Sequence, residues 1–354
     1  MGDVEDIHGL KDLRVPPTSS VRWTPIPLGT AACKVTVLRT GKITMPLGML
    51  LRMQTTDKIE IPVFTFLIEH HSGRRVVFDL GLKANLEDYP PVVQQAFGRN
   101  PTIPPRKELA ELVEELVEEL APLESVEAVV LSHTHWDHIG NINAFPKSTK
   151  LIIGPGVIAS RLPGYPKDAD ANLNDDDIPI DSGRVVQELG PGDPWQDVGA
   201  FKGVDYFGDG SFYILEAEGH MVGHIGALVR TTGSPRTYLL LAGDAAHLRA
   251  QYSCCTGHVH PPYQCGLFAA KNSFSPKVRA RGGLLALHDD LPRAYTTMAK
   301  MGRMEEEPGV AVFLAHDIEW EKVLSADGAW ESREVTGWYD KGWKQAVEAA
   351  REHK

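Results

Sequence analysis

Hydrophobic and polar positions alternate in short runs along the first part of the chain. After Cys33 come the runs KVTVLRTG, VFTFLIEH and RRVVFDLG, which are rich in β-branched and aromatic residues that favour strands. The segment HHSGRR separates the last two runs, and its glycine predicts a hairpin turn. We therefore predict a series of antiparallel strands here, with His70 and His71 at the turn and on the surface.

Two other segments show the 3.6-residue period of an amphipathic helix. RKELAELVEELVEELAPL carries apolar side chains on one face and glutamates on the other, and Pro122 ends the pattern. Its apolar positions are Leu109, Leu112, Val113, Leu116, Val117 and Leu120. PRAYTTMAKMGRMEEEP places Ala294, Met298 and Met301 on one face. Short strands mixed with a few helices predict an α+β fold, neither a βαβ repeat nor an all-β architecture.

The remaining chain predicts an arm and three long connections. Residues 1–30 contain prolines and serines and show little periodicity, so we expect an N-terminal arm followed by one catalytic domain over residues 31–354. Long inserted loops are predicted at 91–106, 164–199 and 249–291, and loops of that length often cover binding sites.

Composition and charge narrow the class of protein. Hydrophobic residues make up 42% of the 354 residues, as in globular proteins, and a net charge of −11 argues against nucleic acid as a partner. Adjacent Cys254 and Cys255 make a poor disulfide framework, which indicates a reducing compartment. The N-terminal residues show no apolar secretory segment, and no run approaches the roughly 20 apolar residues of a membrane span. We expect a cytoplasmic protein without a membrane partner.

The stretch VVLSHTHWDHIGN carries the candidate chemistry. It places His133, His135, Asp137 and His138 directly after an apolar run. Imidazole and carboxylate groups bind zinc and other borderline divalent metals. In extended backbone His133 and His135 lie on the same side. One ion rarely takes four ligands from one short turn, so the spacing favours two adjacent metal ions.

Three more candidate ligands follow apolar strands later in the chain. They are His220 in EAEGHMVGH, Asp244 in YLLLAGDAAH and His316 in VAVFLAHD. A buried carboxylate is costly unless it is paired or bound to metal, so Asp244 has no packing reason to follow LLLAG. Since strand ends of a layered sandwich converge at one edge, these residues are predicted to complete the metal site.

SHTHWDHIGN, EGHMVGH, LLLAGDAAH and FLAHD resemble the metallo-β-lactamase superfamily, and within it the N-acyl homoserine lactone lactonases. The hairpin that ends at Asp79 and Gly81 is also similar, and the resemblance runs from about Cys33 to Trp320. It implies a four-layer αββα sandwich with a dinuclear metal site at one edge. The length and the long loops resemble an enlarged, fungal-type member.

The resemblance also implies roles for the candidate residues. It assigns His133, His135 and His220 to one metal, Asp137, His138 and His316 to the other, and Asp244 to a bridge between them. Zinc is the expected ion, with iron, manganese and cobalt as alternatives. A hydroxide bridging the two ions would attack a carbonyl carbon, and Asp137 would act as a catalytic residue that passes the proton to the leaving group.

The sequence departs from the lactonases three positions after the bridging aspartate, where they have tyrosine and this chain has His247. An imidazole can also donate to an oxyanion, although its donation depends on pH. We interpret His247 as catalytic and substrate-binding, and nearby Tyr252 as a second substrate-binding candidate. His224 is expected to support the site through hydrogen bonds.

The remaining histidines, Cys265 and Trp136 are not assigned to the metal site. His258, His260 and Cys265 match no closed zinc spacing, so we expect a loop or pocket role for them. His288 receives no chemical role, and Trp136 is expected to pack under the metals.

The motifs predict a metal-dependent hydrolase that opens a small cyclic ester or amide, namely a lactone, lactam or cyclic carbamate. The alternative is a thioester hydrolase of the glyoxalase II or acyl-carrier type, which the acidic charge disfavours. A nuclease would need a basic surface, and a diiron redox protein would need a flavin-binding segment. The sequence indicates neither feature, which disfavours both of these classes. The complete ligand set disfavours a non-catalytic scaffold. The sequence leaves open the substrate class, the native metal and whether the chain forms a homodimer.

Overall fold

Two β-sheets face each other in the computed structural model, which describes residues 13–53, 55–117, 123–253, 263–269 and 284–351. The first sheet has the strand order β16-β1-β2-β3-β5-β6-β7, and β4 pairs with β1. Its strands are β1 Cys33–Pro46, β2 Lys58–His70, β3 Arg75–Phe78, β4 Thr102–Ile103, β5 Val126–Val130, β6 Lys150–Ile153, β7 Val186–Glu188 and β16 Ser332–Glu334.

The second sheet has the strand order β15-β12-β11-β10-β9-β8. Its strands are β8 Gln196–Val198, β9 Phe201–Asp205, β10 Phe212–Glu216, β11 Ile225–Gly233, β12 Arg236–Leu241 and β15 Val310–Phe313. A separate ribbon pairs β13 Leu267–Ala269 with β14 Leu284–Ala286. Strands β12 and β15 run parallel, as do β3, β5 and β6, so their carboxyl ends share an edge.

The inner faces of the two sheets form one hydrophobic core. Val37 and Phe66 from the first sheet pack in the same cluster as Ile214, Leu239 and Phe313 from the second, and all are almost fully buried. Because both faces of β2 are covered, its run of apolar residues is nearly continuous and does not alternate with polar ones.

Helices cover the outer face of each sheet. The helices of the described residues are α1 Leu47–Leu50, α2 Pro91–Phe97, α3 Leu109–Val117, α4 Val157–Arg161, α5 Leu291–Glu305, α6 Ile318–Leu324 and α7 Trp343–Ala349. Leu112 of α3 lies in the same buried cluster as Val129 of the first sheet, and Met298 of α5 lies in the same cluster as Leu240 of the second. The predicted αββα sandwich is therefore confirmed.

Short 3-10 helices complete the described secondary structure. They are Thr18–Ser20, Leu86–Asp88, Leu123–Ser125, Ile142–Ala144, Asp175–Asp177 and Arg249–Gln251. No helix among the described residues is long and apolar enough to cross a membrane.

The structure confirms both predicted helices and corrects some details. Leu116, predicted on the apolar stripe of α3, is 41% exposed, and residues 118–122 lie outside the described part of the chain. His70 lies at the end of the strand before the predicted turn and is buried, not on the surface as predicted. Its Nδ1 contacts Ser72 Oγ at 2.7 Å, and its Nε2 contacts Asp209 Oδ2 at 2.8 Å. His71 is exposed as expected.

All three predicted loops contain regular structure. Segment 91–106 holds α2 and β4, and 164–199 holds β7 and β8. Pro91 begins α2 because its fixed φ suits the first helical turn, a signal that the loop interpretation missed. Segment 249–291 holds the short 3-10 helix at its start and the ribbon of β13 and β14, and its residues 254–262 and 270–283 lie outside the described part of the chain.

The N-terminal arm lies along the second sheet. Thr24 N–H donates to Gly199 O at 2.9 Å, and Trp23 and Ile26 pack against the cluster under α5. The boundary at residue 30 and the single domain over 31–354 stay predictions.

Candidate metal centre

The seven predicted ligand residues converge at the edge where the parallel strands end. Their ligand-type atoms form two groups, each with all atoms within 4.8 Å of one another. The first group is His133, His135, His220 and Asp244, and the second is Asp137, His138 and His316. Both groups are buried except for the partly exposed His135.

Strand topology explains this convergence. The histidine loop follows β5, His220 follows β10, and Asp244 and His316 follow the parallel pair β12 and β15. Ala315 N–H donates to Gly243 O at 3.1 Å, so the last two loops stay side by side. His316 Nε2 thereby lies 3.2 Å from Asp244 Oδ1. Loops of both sheets contribute candidate ligands, and these side chains lie together at one edge of the sandwich.

The donor atoms fit divalent cations. His138 Nε2 and Asp244 Oδ1 are buried without a hydrogen-bond partner, yet they lie only 3.4 Å apart. His135 Nδ1 lies 3.0 Å from His133 Nε2 and 2.9 Å from His220 Nε2. Buried, unpaired nitrogen and oxygen atoms are costly unless a cation lies between them. Five imidazoles and two carboxylates form a donor set of the kind that zinc and related ions bind.

Outer hydrogen bonds orient the second group. Asp79 Oδ2 lies 2.9 Å from His138 Nδ1, and Asp79 Oδ1 accepts the Ser132 N–H at 2.6 Å. His316 Nδ1 donates to Pro62 O at 2.7 Å. Since these outer atoms are acceptors, Nδ1 of each imidazole carries the proton and Nε2 presents its lone pair to the site.

His224 forms the hydrogen bonds expected of it, and they hold the backbone at Asp244. Its Nδ1 donates to Ala217 O at 2.7 Å, and its Nε2 accepts the Asp244 N–H at 3.0 Å. Burial lowers the pKa of His224 to about 4, so the ring is neutral and can accept this bond.

The two groups differ in electrostatics. Burial is the main cause that lowers the pKa of His135 to about 4 and the pKa values of His133 and His220 well below 6.5. Burial also opposes a charge on His316, but Asp244 and Asp137 outweigh it and raise its pKa to about 10. The three imidazoles of the first group are thus neutral, whereas the two imidazoles of the second group carry protons that balance the nearby carboxylates and that metal ions would displace.

His247 lies at this site, whereas Tyr252 lies behind it. His247 Nε2 is 3.3 Å from Asp244 Oδ2, and its ring is 5.1 Å from that of His220. Tyr252 is 3% exposed, and its hydroxyl accepts a bond from Arg249 Nη1 at 3.0 Å. No described contact joins Tyr252 to the seven residues. Its packing under α5 explains why closeness in sequence to His247 did not bring it to the site.

A buried ion pair joins the two loops that carry Asp244 and His316. Arg249 Nε lies 2.9 Å from Asp317 Oδ2, and Arg249 Nη1 contacts Glu305 Oε1. Asp317 also accepts the Trp320 N–H at 3.1 Å and so caps α6. The arginine therefore ties the loop after β12 to the loop after β15.

Sequence reasoning missed His288 and gave Asp79 no role. His288 is 4% exposed, and its Nδ1 lies 3.2 Å from His220 Nδ1. A single histidine in ALHDDLP carries no spacing signal, so only the fold reveals this contact. Trp136 packs edge-on against Phe97 at 5.2 Å beside the histidine loop.

Two remaining sequence candidates lie elsewhere. Cys265 is buried, and its N–H donates to Tyr295 Oη at 3.0 Å, whereas His258 and His260 lie outside the described residues. His70, His71 and Asp209 form another compact group, but both ring nitrogens of His70 already have hydrogen-bond partners. Unlike the buried centre, that group leaves no imidazole nitrogen of His70 unpaired.

The fold and the clustered ligands define a metallo-β-lactamase-type protein, and family comparison agrees. The model of the metallo-beta-lactamase superfamily matches residues 59–296, and the chain belongs to this superfamily. The chain is 32% identical to the metallo-hydrolase mfmC of Annulohypoxylon moriforme over 73% of this chain and 71% of that protein. It is 38% identical to the gamma-lactamase FDB1 of Fusarium pseudograminearum over 52% of this chain and 45% of that protein.

Two other matches are more limited, because one covers only a part of the relative and the other shows a similar fold at low sequence identity. The chain is 35% identical to the cytochrome P450 monooxygenase mpaDE of Penicillium roqueforti over 73% of this chain, but that match spans 30% of the longer protein. A crystal structure of a mutant of B. thuringiensis AiiA, with N-decanoyl-L-homoserine bound at its active site, superposes with a TM-score of 0.57. That match has 15% identity and covers 83% of this chain and 97% of AiiA, so it shows a shared fold.

Proposed function

We propose that this protein is a dinuclear, metal-dependent hydrolase that opens a small cyclic amide or ester. The observation that carries the proposal is the convergence of seven ligand-type side chains around unpaired buried atoms, among them His138 Nε2 and Asp244 Oδ1. The gamma-lactamase and metallo-hydrolase relatives support a cyclic amide or ester as the substrate class.

The residues divide between two metal positions and a bridge. His133, His135 and His220 would hold the first ion, Asp137, His138 and His316 the second, and Asp244 would contact both. Bound divalent ions, zinc by preference, supply Lewis acidity and lower the pKa of a coordinated water. Because the surrounding side chains are buried, water is largely excluded and local electrostatic interactions are strengthened.

The chain's own residues supply proton transfer and orientation. Burial opposes ionisation of Asp137, but His138 and His316 outweigh it and lower the pKa of that carboxyl. Asp137 therefore stays ionised near neutral pH and can accept a proton from the attacking water and return it to the leaving nitrogen or oxygen. His247, whose Nε2 lies beside Asp244, is placed to donate a hydrogen bond to the substrate carbonyl oxygen.

The test combines metal analysis with a substrate panel. The purified protein should hold about two ions per chain, should hydrolyse a lactam, a cyclic carbamate or a lactone, and should lose this activity on chelation. Asp244→Ala should lose metal and turnover together, whereas His71→Ala, which changes an exposed histidine, should change neither. Turnover of thioesters alone would replace the ring-opening proposal, and two irons without any hydrolysis would refute it.

A further inference from the structure

The imidazoles of His138, His220 and His316 differ in the hydrogen-bond partner of Nδ1, the ring nitrogen that points away from the candidate metal positions. His138 has the Asp79 carboxylate and His316 has the Pro62 carbonyl, which are the usual partners of metal-binding histidines. His220 instead has another imidazole, because its Nδ1 lies 3.2 Å from His288 Nδ1. A contact between two Nδ1 atoms requires that one ring donates and the other accepts.

The chemistry of His220 decides which ring donates. Its Nε2 faces the first group, 2.9 Å from His135 Nδ1 and 3.6 Å from Asp244 Oδ2. A neutral imidazole that offers Nε2 to a cation must carry its proton on Nδ1. His220 is then the donor, and His288 accepts at Nδ1 and keeps its own proton on Nε2.

The backbone holds His288 firmly in this place. Asp289 N–H donates to His220 O at 2.8 Å, and Asp290 N–H donates to Gly219 O at 3.0 Å. These bonds tie the segment before α5 to the segment that carries His220. A side chain at Gly219 would collide with Ala294, since a Cβ there would lie 2.1 Å from Ala294 N. The close approach of the two segments is therefore built into the sequence.

We propose that His288 is a positioning residue, which accepts the Nδ1–H of His220 and so holds His220 Nε2 toward the first metal position. The proposal rests on the metal-binding part of the proposed function. His288 also packs its ring 5.1 Å from His247, so it supports two residues of the site at once. A neutral imidazole attracts an N–H less strongly than a carboxylate does. The hydrogen bond that orients His220 at the first metal position is therefore weaker than the one that orients His138 at the second.

Two substitutions separate hydrogen bonding from ring packing. His288→Phe keeps an aromatic ring beside His247 but removes the acceptor, whereas His288→Asn removes the ring and places its Oδ1 near the position of Nδ1. Cobalt is titrated into each metal-free protein, and the two binding steps are resolved by visible absorption and calorimetry. His71→Phe, at an exposed histidine, is the matched control.

We expect His288→Phe to weaken the first metal position by roughly 10- to 100-fold and to leave the second nearly unchanged. His288→Asn should bind cobalt within a few-fold of the unaltered protein. Unchanged binding by His288→Phe, or equal losses in both variants, would overturn the proposal. If His288→Phe does not fold, nitrogen NMR of the unaltered zinc-loaded protein decides. A proton on Nδ1 of His288 would refute the assignment, and a proton on Nε2 would support it.

These measurements do not depend on turnover. A protein that binds two cobalt ions but hydrolyses no cyclic substrate would contradict the proposed reaction and leave the role of His288 intact. A protein that binds no cobalt would refute both proposals. Normal ring-opening activity together with unaltered cobalt binding by His288→Phe would refute only the role of His288.

Discussion

Replacing Asp79 by asparagine should weaken metal binding although Asp79 is not a candidate ligand. Asp79 accepts the Ser132 N–H on Oδ1 and faces both Ser132 Oγ and His138 Nδ1 with Oδ2. Asparagine has one acceptor oxygen and one NH2 group, so either orientation of its amide directs an N–H at an N–H. The serine hydroxyl can rotate in response, but the backbone amide and the oriented imidazole cannot.

The size of the effect follows from the bond that is lost. A hydrogen bond to a charged group contributes about 1.5–3 kcal/mol. Since about 1.4 kcal/mol is a factor of ten, metal affinity should fall by roughly 10- to 150-fold. Asparagine is the appropriate substitution because Asp79 has φ 61°, a left-handed conformation that asparagine tolerates. Alanine would add a backbone cost of about 1–2 kcal/mol and obscure the result.

The assay is competition for zinc with a chelator of known affinity, followed by elemental analysis of the protein. Asp209→Asn is the matched control, because Asp209 also pairs with a histidine, His70, at 2.8 Å but outside the centre. Asp209→Asn should retain the zinc affinity of the unaltered protein. If Asp79→Asn bound both ions within about twofold of the unaltered protein, outer hydrogen bonds would not control this site, and the reasoning would be wrong.

Two further predictions concern the charged cluster behind the site. Arg249→Met should lower the free energy of unfolding by about 3–5 kcal/mol, because Asp317 would keep a buried charge without its partner, and urea unfolding should show this. A loss below about 1 kcal/mol would contradict it. Burial opposes ionisation of Glu305, but Arg249 and Arg351 outweigh it and hold its pKa below 4.5. The ionised Glu305 therefore contributes its full stabilisation above pH 4.5, and this contribution is lost as the pH falls through the lower pKa of the folded state. In the metal-free protein, Glu305→Gln should make the free energy of unfolding less dependent on pH in this acidic range. If the unaltered protein and Glu305→Gln showed the same acid dependence of the free energy of unfolding, this stabilising role of Glu305 would be excluded.

The sequence was most informative where the candidate ligands lie close together or follow an apolar strand. His133, His135 and His138 are recognisable from spacing alone, and Asp244 is recognisable because a carboxylate after LLLAG has no packing role. Periodicity likewise predicted α3 and α5, since an amphipathic stripe is a local property of the chain.

Other features depend on contacts between distant segments and could not be read in this way. His288 contacts His220 although the two are 68 positions apart in the sequence, and nothing near His288 in the sequence indicates that contact. Tyr252 lies five positions after His247, but the 3-10 turn at Arg249–Gln251 takes its ring into the core. Distance along the chain is a poor guide to direction once a turn intervenes.

The distribution of the candidate ligands along the chain has a consequence for folding. The first lies at position 133 and the last at position 316, and they belong to loops of both sheets. An ion held by these candidate ligands would therefore close chain loops of many residues, which is where a cross-link restricts the unfolded chain most. Because the ligands assemble only when both sheets are in place, stoichiometric metal uptake would count natively folded molecules. In a mixed preparation, it would serve as a direct measure of how much of the chain has folded.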